Sequence, residues 1–198
     1  TGGMGAVSPV PFANDEFVQK VKSRIVEPTI AGLRAEGIDY RGFIFIGLMN
    51  CGGDPFVIEY NVRMGDPETE VVMPRIKSDL LSHLAAAAKG NLAGESFEVY
   101  DKSAMTVIMV SGGYPENYAK GYEITGLDNV DSDIIVFNSG TKLSDDKLVT
   151  SGGRVLAVTT LGESLVSTRE HIYDNLKKIS FKDSYNRSDI GLDMIHYK

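Results

Sequence analysis

The sequence predicts an α+β fold in two parts, on three observations. Apolar residues recur at helical spacing through Phe17, Val18, Val21 and Ile25. Two strand-like runs then flank "CGGDP", the pattern of an antiparallel hairpin about a glycine-rich turn. From about residue 100 the texture changes to short β-branched runs punctuated by Gly-Gly turns, with one more helix behind them. The polar, glycine-bearing "KGNLAGES" marks a boundary, so the expected parts are residues 1–99 and 100–198.

The elements follow in order. The chain opens with "TGGMGAVSPVP", a glycine-rich loop with no initiator methionine and no element before it. A loop of this kind joins two elements, and the expectation is a fragment cut from a longer protein. Asn14 is placed to cap a helix, with Asp15 and Glu16 in the first turn where negative charge is favoured. Pro28 predicts a kink, or two short helices, ending near Gly37. "YRGFIFIGLMN" and "PFVIEYNVR" are the hairpin strands. "GDPETEVVMPRIKSDLLSHLAAAAKG" reads as a short helix broken at Pro74 and a second helix with Ser78 as N-cap, Asp79 in its first turn and Gly90 as its close. "AMTVIMV", "DIIVF" and "RVLAVTT" are strands, and a helix is expected from about Glu163 to Lys178.

Composition narrows the function classes. With 198 residues, 42% of them hydrophobic, the chain has enough apolar material for one or two real cores. A net charge of −7 argues against a general nucleic-acid surface. No apolar run is long enough to span a bilayer, and the start has no basic-plus-apolar signal segment. One cysteine, Cys51, excludes an internal disulfide and fits a reducing, cytosolic setting. It sits in a turn and is read as incidental. The histidines His83, His171 and His196 are scattered and read as structural or surface residues, and Asp131, Asp133, Asp145 and Asp146 as solvated turns.

The stretch "VIEYNVRMGDPETE", residues 57–70, carries the chemistry. Ile58, Tyr60, Val62 and Met64 alternate with Glu59, Asn61 and Arg63, which places the three polar groups on one strand face. Glu59 and Asn61 offer hard oxygens one strand repeat apart, roughly 6.5–7 Å, a spacing that suits one Mg²⁺ completed by water and phosphate oxygens. Arg63, one repeat on, presents a planar fork of donors to a phosphoryl oxygen. A merely solvated sheet face is the alternative on spacing alone. Against it, Gly65-Asp66-Pro67-Glu68 forces a turn straight after the polar row and adds two carboxylates beside it.

Those residues carry a resemblance. "GFIFIGLM", "VIEYNVRMGDPETE", "PRIKSDL" and the opening "TGGMGAVSP" together resemble the phosphoribosylamine–glycine ligase (glycinamide ribonucleotide synthetase) family of the ATP-grasp superfamily. The Arg-x-Gly-Asp-Pro-Glu run from Arg63 to Glu68 is that family's signature, and the likeness continues through "GGYPENYAKGYEI", "FNSGT", "TSGGRVLAVTTLG" and "RSDIG". Met64 stands where the family more often has Phe or Leu. The resemblance implies part of an ATP-grasp large lobe followed by a small carboxy-terminal β-rich domain. The amino-terminal domain and small lobe, with the lysines that grip ATP phosphates, would precede the opening loop.

The activity it implies joins glycine to 5-phosphoribosylamine at the expense of ATP, through glycyl phosphate, in de novo purine synthesis. The partners are then small molecules only, and the chain is expected to be monomeric. By match of motif, Glu59 and Asn61 fall on the ligands of Mg²⁺ or Mn²⁺ that hold ATP, and Arg63 falls where a cation meets the transferred phosphoryl group. Leu48 falls near the adenine side of the cleft, with a plain core leucine as the alternative. Gly2, Gly3, Met4 and Gly5, with Thr1 before them, are read as a substrate cradle whose backbone N–H groups approach an anion, against an ordinary loop. Asp66 and Glu68 are read as substrate-binding. Arg75, Lys77 and Ser78 at a helix start form a candidate site for a substrate phosphate, against surface charges near a cap. The remaining alternatives are another ATP-grasp carboxylate–amine ligase and a non-catalytic nucleotide-binding module derived from one. A retired site would be expected to lose Glu59, Asn61 or Arg63, and all three are present.

Overall fold

The computed structural model describes residues 3–197 and is mixed α+β, with antiparallel sheets and helices. The opening segment is more than a loop: Gly5–Ser8 forms β1. Asn14 caps α1 (Asp15–Val21) as expected, its Oδ1 accepting from Phe17 N at 2.9 Å. Asn14→Ala should therefore cost about 1 kcal/mol of stability, read as a lowered midpoint in urea unfolding.

As Pro28 predicts, the run divides into two short helices, with the interruption just ahead of the proline. A π-helical turn, Lys22–Val26, runs straight into α2 (Glu27–Ala35), with Pro28 in the first turn of α2. In that wider turn the Glu27 N–H reaches back to Lys22 O, and Pro28 follows with no N–H to give. Gly37, at φ +69°, ends the run where the sequence placed the end.

β2 (Phe45–Cys51) and β3 (Asp54–Asn61) form the expected hairpin, Phe45 opposite Asn61 and Cys51 opposite Asp54. Gly52 and Gly53 supply the two left-handed residues of its turn, at φ +62° and +89°. Glu59 pairs with Gly47 but Val57 with Leu48, so Ile58 is the extra residue of a bulge. This sheet has only two strands. Its apolar residues consequently lack the cover that their alternation implies: Ile58 is 62% and Val62 75% exposed. The preceding helix steadies one side, with Lys20 Nζ donating to Gly53 O at 2.8 Å, Arg24 pairing with Asp54 at 2.8 Å, and the Thr29 and Tyr60 hydroxyls 3.1 Å apart.

α3 (Thr69–Arg75) contains Pro74 instead of stopping before it, and ends one residue later. α4 (Leu80–Ala88) is capped by Asp79, not by Ser78: the Asp79 carboxylate accepts from Leu81 N at 3.0 Å and from the Ser82 hydroxyl at 2.6 Å. Ser78 is engaged elsewhere, its hydroxyl 2.7 Å from His83 Nε2 and accepting from Glu98 N at 3.0 Å.

The second part is built on β4 (Ser103–Val110), β5 (Ile135–Asn138) and β8 (Arg154–Gly162). A short hairpin, β6 (Thr141–Ser144) and β7 (Lys147–Thr150), turns at Asp145 and Asp146, both left-handed. The helix α5 (Leu165–Leu176) is capped by Ser164, and a last turn α6 (Leu192–Ile195) follows. Strand order is β1-β4-β8-β5, so β1 lies in the sheet of the second part and crosses the division expected at residues 99 and 100. β4 and β8 are buried on both faces. One face, through Met105, Val107, Leu156 and Val158, packs on Ile172 and Leu176 of α5; the other, through Ile108, Val110 and Ala157, packs on Met4 and Ile190. α3 also lies against β1, β4 and β8, which brings the turn before α3 to the edge of this sheet.

Candidate metal and phosphate site

The candidate site is the end of β3 and the turn after it. Asn61 Nδ2 donates to Glu59 Oε1 at 3.0 Å, so the two side chains meet on one side of the strand as the alternation requires. That bond uses one Glu59 oxygen and the amide nitrogen. Glu59 Oε2 and Asn61 Oδ1 remain, one anionic and one neutral oxygen side by side. Such a set fits a hard cation held by two protein oxygens plus substrate phosphates and water, and not a closed cage. No group of three or more His, Cys, Asp or Glu with metal-site geometry occurs among the described residues.

Arg63 lies past the strand, exposed, with Nη1 donating to Met64 O at 3.0 Å. Leu48 is half-buried opposite Val57, beside the bulge. The turn itself is tightly built. A Cβ on Gly65 would fall 2.3 Å from Glu68 Oε2 and 2.6 Å from the Phe45 ring, so only glycine lets the turn lie against the hairpin. Thr69 closes it, through its N–H at 3.1 Å and its hydroxyl at 2.5 Å to Gly65 O.

Asp66, expected to face substrate, is taken by a protein cation that the sequence reading passed over. Both of its carboxylate oxygens accept from Arg154, at 2.8 Å each. The signal was present as the arginine of "SGGRV", but nothing local links it to a turn 88 residues earlier. Glu68 sits half-buried over Gly65 with its backbone carbonyl accepting from Val71 and Val72. Glu70 adds a third carboxylate, with Oε2 buried and without a protein partner. Burial pushes its carboxyl above the usual range, with Asp66 and Glu68 adding to the shift and the backbone and Arg154 opposing it.

Of the opening loop, Gly2 and Thr1 lie outside the described residues. Gly3 is left-handed at φ +74°, and its carbonyl accepts from Arg154 Nη1 at 3.4 Å. Met4 is buried and its carbonyl accepts from Ile108 N at 3.0 Å. Gly5 is required by close packing, since a Cβ would meet Ile190 and the Thr106 carbonyl at 2.8 Å. The described part of this loop is thus a seam of the second sheet, with Gly3 beside the Asp66 turn.

The three residues of the anion site expected at Arg75, Lys77 and Ser78 each have protein partners in this structure. Arg75 donates to the Ser8 hydroxyl at 2.8 Å, Lys77 pairs with Glu98 at 3.0 Å, and Ser78 holds His83 and Glu98. The helix N-terminus beside them carries the Asp79 carboxylate, which takes the donors a phosphate would need. His83 is accordingly structural, buried under the Phe97 ring at 5.2 Å between ring centres. Cys51 is exposed and free.

The family model "phosphoribosylglycinamide synthetase, ATP-grasp (A) domain" matches residues 1–69, and "phosphoribosylglycinamide synthetase, C domain" matches residues 104–193. The phosphoribosylamine–glycine ligase of Chlorobaculum tepidum is 45% identical over 194 residues, covering 96% of this chain and 45% of that protein. The bifunctional purine biosynthetic protein PUR2,5 of Pichia angusta is also 45% identical, over 96% of this chain and 24% of its own length. The crystal structure of phosphoribosylamine–glycine ligase from Thermotoga maritima matches with a TM-score of 0.83 and 34% identity, over 94% of this chain and 46% of that one. Urea carboxylase of Kluyveromyces lactis, 12% identical with a TM-score of 0.67, shares the fold alone. The chain spans about half the length of the ligases it matches.

Proposed function

The chain belongs to the phosphoribosylglycinamide synthetase family, and we propose that it carries the metal-and-phosphate strand of an ATP-dependent ligase joining glycine to 5-phosphoribosylamine. The observation that carries the reading is the Glu59–Asn61 pair at the mouth of the Gly65–Glu68 turn, on a segment 45% identical to such ligases. Glu59 Oε2 and Asn61 Oδ1 would hold Mg²⁺ or Mn²⁺, which would supply positive charge to offset that of the phosphates. Arg63, an exposed side chain that donates to the Met64 carbonyl, would turn from it onto the transferred phosphoryl group. Leu48 would lie toward the adenine, and Gly3 and Glu68 toward the substrate side of the turn. Asp66 has a positioning part instead, through Arg154. No helix among the described residues is long and apolar enough to cross a membrane. A monomer in a reducing, cytosolic setting completes the proposal, with the lone cysteine as its support.

The test joins the amino-terminal half of the Chlorobaculum tepidum ligase to this chain and assays phosphate release with ATP, glycine and 5-phosphoribosylamine. Glycine-dependent release by the chimaera and none by the 198-residue chain alone is the expected result. The chain by itself presents Glu59 on an open surface, with only one of the two lobes that such a ligase closes on ATP. Folded chimaera that works with another small carboxylate but not with glycine would move the assignment to a different ATP-grasp ligase.

A further inference from the structure

Arg154 stands where the carboxy-terminal sheet meets the signature turn, and its side chain starts from a fixed place. Val110 pairs with it across the sheet, and its carbonyl accepts from Gly140 N at 2.9 Å. A Cβ on Gly140 would lie 2.4 Å from that same carbonyl oxygen, and one on Gly153 would lie 2.3 Å from the Tyr114 ring. The glycines thus press β8 and its neighbours together around the arginine backbone.

From there the guanidinium reaches two segments. Nη1 and Nη2 donate to the two Asp66 oxygens at 2.8 Å each, and Nη1 also meets Asp66 O at 3.2 Å and Gly3 O at 3.4 Å. The Arg154 side chain is 27% exposed and that of Asp66 48%, so the pair is held by its two-bond geometry more than by burial. Two parallel bonds fix the angle as well as the distance of the carboxylate. Asp66 is separated from Arg63 only by Met64 and Gly65, and Gly65 is wedged between Phe45 and Glu68. With so little slack, a shift of Asp66 carries the backbone of Arg63 with it.

We propose that Arg154 is a positioning residue for phosphoryl transfer: by clamping Asp66 it sets the Gly65–Glu68 turn, and through it the place of Arg63 beside Glu59 and Asn61. The catalytic half of this statement rests on the ligase reading above; the clamp does not. A lysine cannot replace the arginine, because a point donor engages one oxygen and leaves the angle free.

Hydrogen exchange on this chain decides the clamp. Arg154→Ala is expected to speed exchange of the 64–70 amides about tenfold while β4 and β8 stay protected. Unchanged exchange in the turn overturns the proposal, and loss of protection across the whole sheet would reassign Arg154 to sheet stability, which also overturns it. The kinetic arm uses the chimaera. Arg154→Ala is expected to lower kcat about 100-fold with little change in the KM for ATP, the signature of a displaced group rather than lost binding. Arg154→Lys should restore the melting temperature but not kcat, and in an Arg63→Ala background the further loss should be under about threefold. A full additional loss in that background, or rescue of kcat by lysine, overturns the positioning of Arg63. A parent chimaera without turnover would count against the ligase reading, and the exchange result would still decide the clamp.

Discussion

Glu59→Gln is expected to lower turnover of the chimaera by about two to three orders of magnitude, the cost of removing one preorganised electrostatic partner of a developing charge. Glutamine keeps the shape of the side chain and its bond to Asn61, so the change isolates the negative charge. Glu59 is exposed, and its loss leaves no buried group unpaired. The melting temperature of this chain should therefore move by no more than about 1–2 °C, as for an ordinary surface substitution. Asn61→Ala should act in the same direction and less severely, because it deletes a neutral oxygen. Steady-state phosphate release at limiting and at saturating Mg²⁺ separates the outcomes. Near-normal rates for both variants at limiting Mg²⁺ would leave the pair as a local strand contact and remove the metal assignment.

The largest loss of stability is expected at Leu156→Ala. Leu156 is fully buried in β8, the strand that bonds β4 on one side and β5 on the other, over Ile172 and Leu176 of α5. A cavity there cannot collapse without moving two neighbouring strands, so the cost should be about 3–5 kcal/mol. For a chain of this size that corresponds to a fall in melting temperature of roughly 6–20 °C. Leu143, on the β6–β7 hairpin and 75% exposed, supplies the contrast: its alanine variant should lie within about 0.5 kcal/mol of the parent. Equal costs at the two positions, in paired urea and thermal unfolding, would mean that the four-stranded sheet is not the stabilising core.

What the sequence made legible was local. The Asn14 cap, the Gly52-Gly53 turn, the Gly37 and Gly90 helix ends and the Glu59–Asn61 alternation each depend on residues within a few positions of one another, and each is found in the structure. Misreadings occurred where two local signals compete. Ser78 and Asp79 are both good caps, and Ser78 lost because His83 and Glu98 claim its hydroxyl. The interruptions expected at Pro28 and Pro74 are present but shifted by a residue or two, since one proline sits in a first turn and the other one residue before an end, where little is lost. Long-range partners were invisible. Four residues at Gly5–Ser8 carry no strand signal of their own and become one only beside β4, and the tie between Arg154 and Asp66 spans 88 residues. The partner of Lys77 was invisible for the same reason, since Glu98 lies beyond the helix that was being read.

The pairing of β1 with β4 also bears on how the chain is made. Gly5 meets Val107 across the ladder, so the first strand leaves the ribosome about 100 residues ahead of its partner. At ordinary rates of elongation that is a wait of roughly 5–20 s, long compared with the microseconds in which the β2–β3 hairpin closes. During translation the β2–β3 hairpin and the helix before it would therefore form before β1 gains its β4 partner. Closing so long a loop late gives this architecture a high contact order, and with it slow folding whose rate should depend on the β1–β4 register far more than on the hairpin turn.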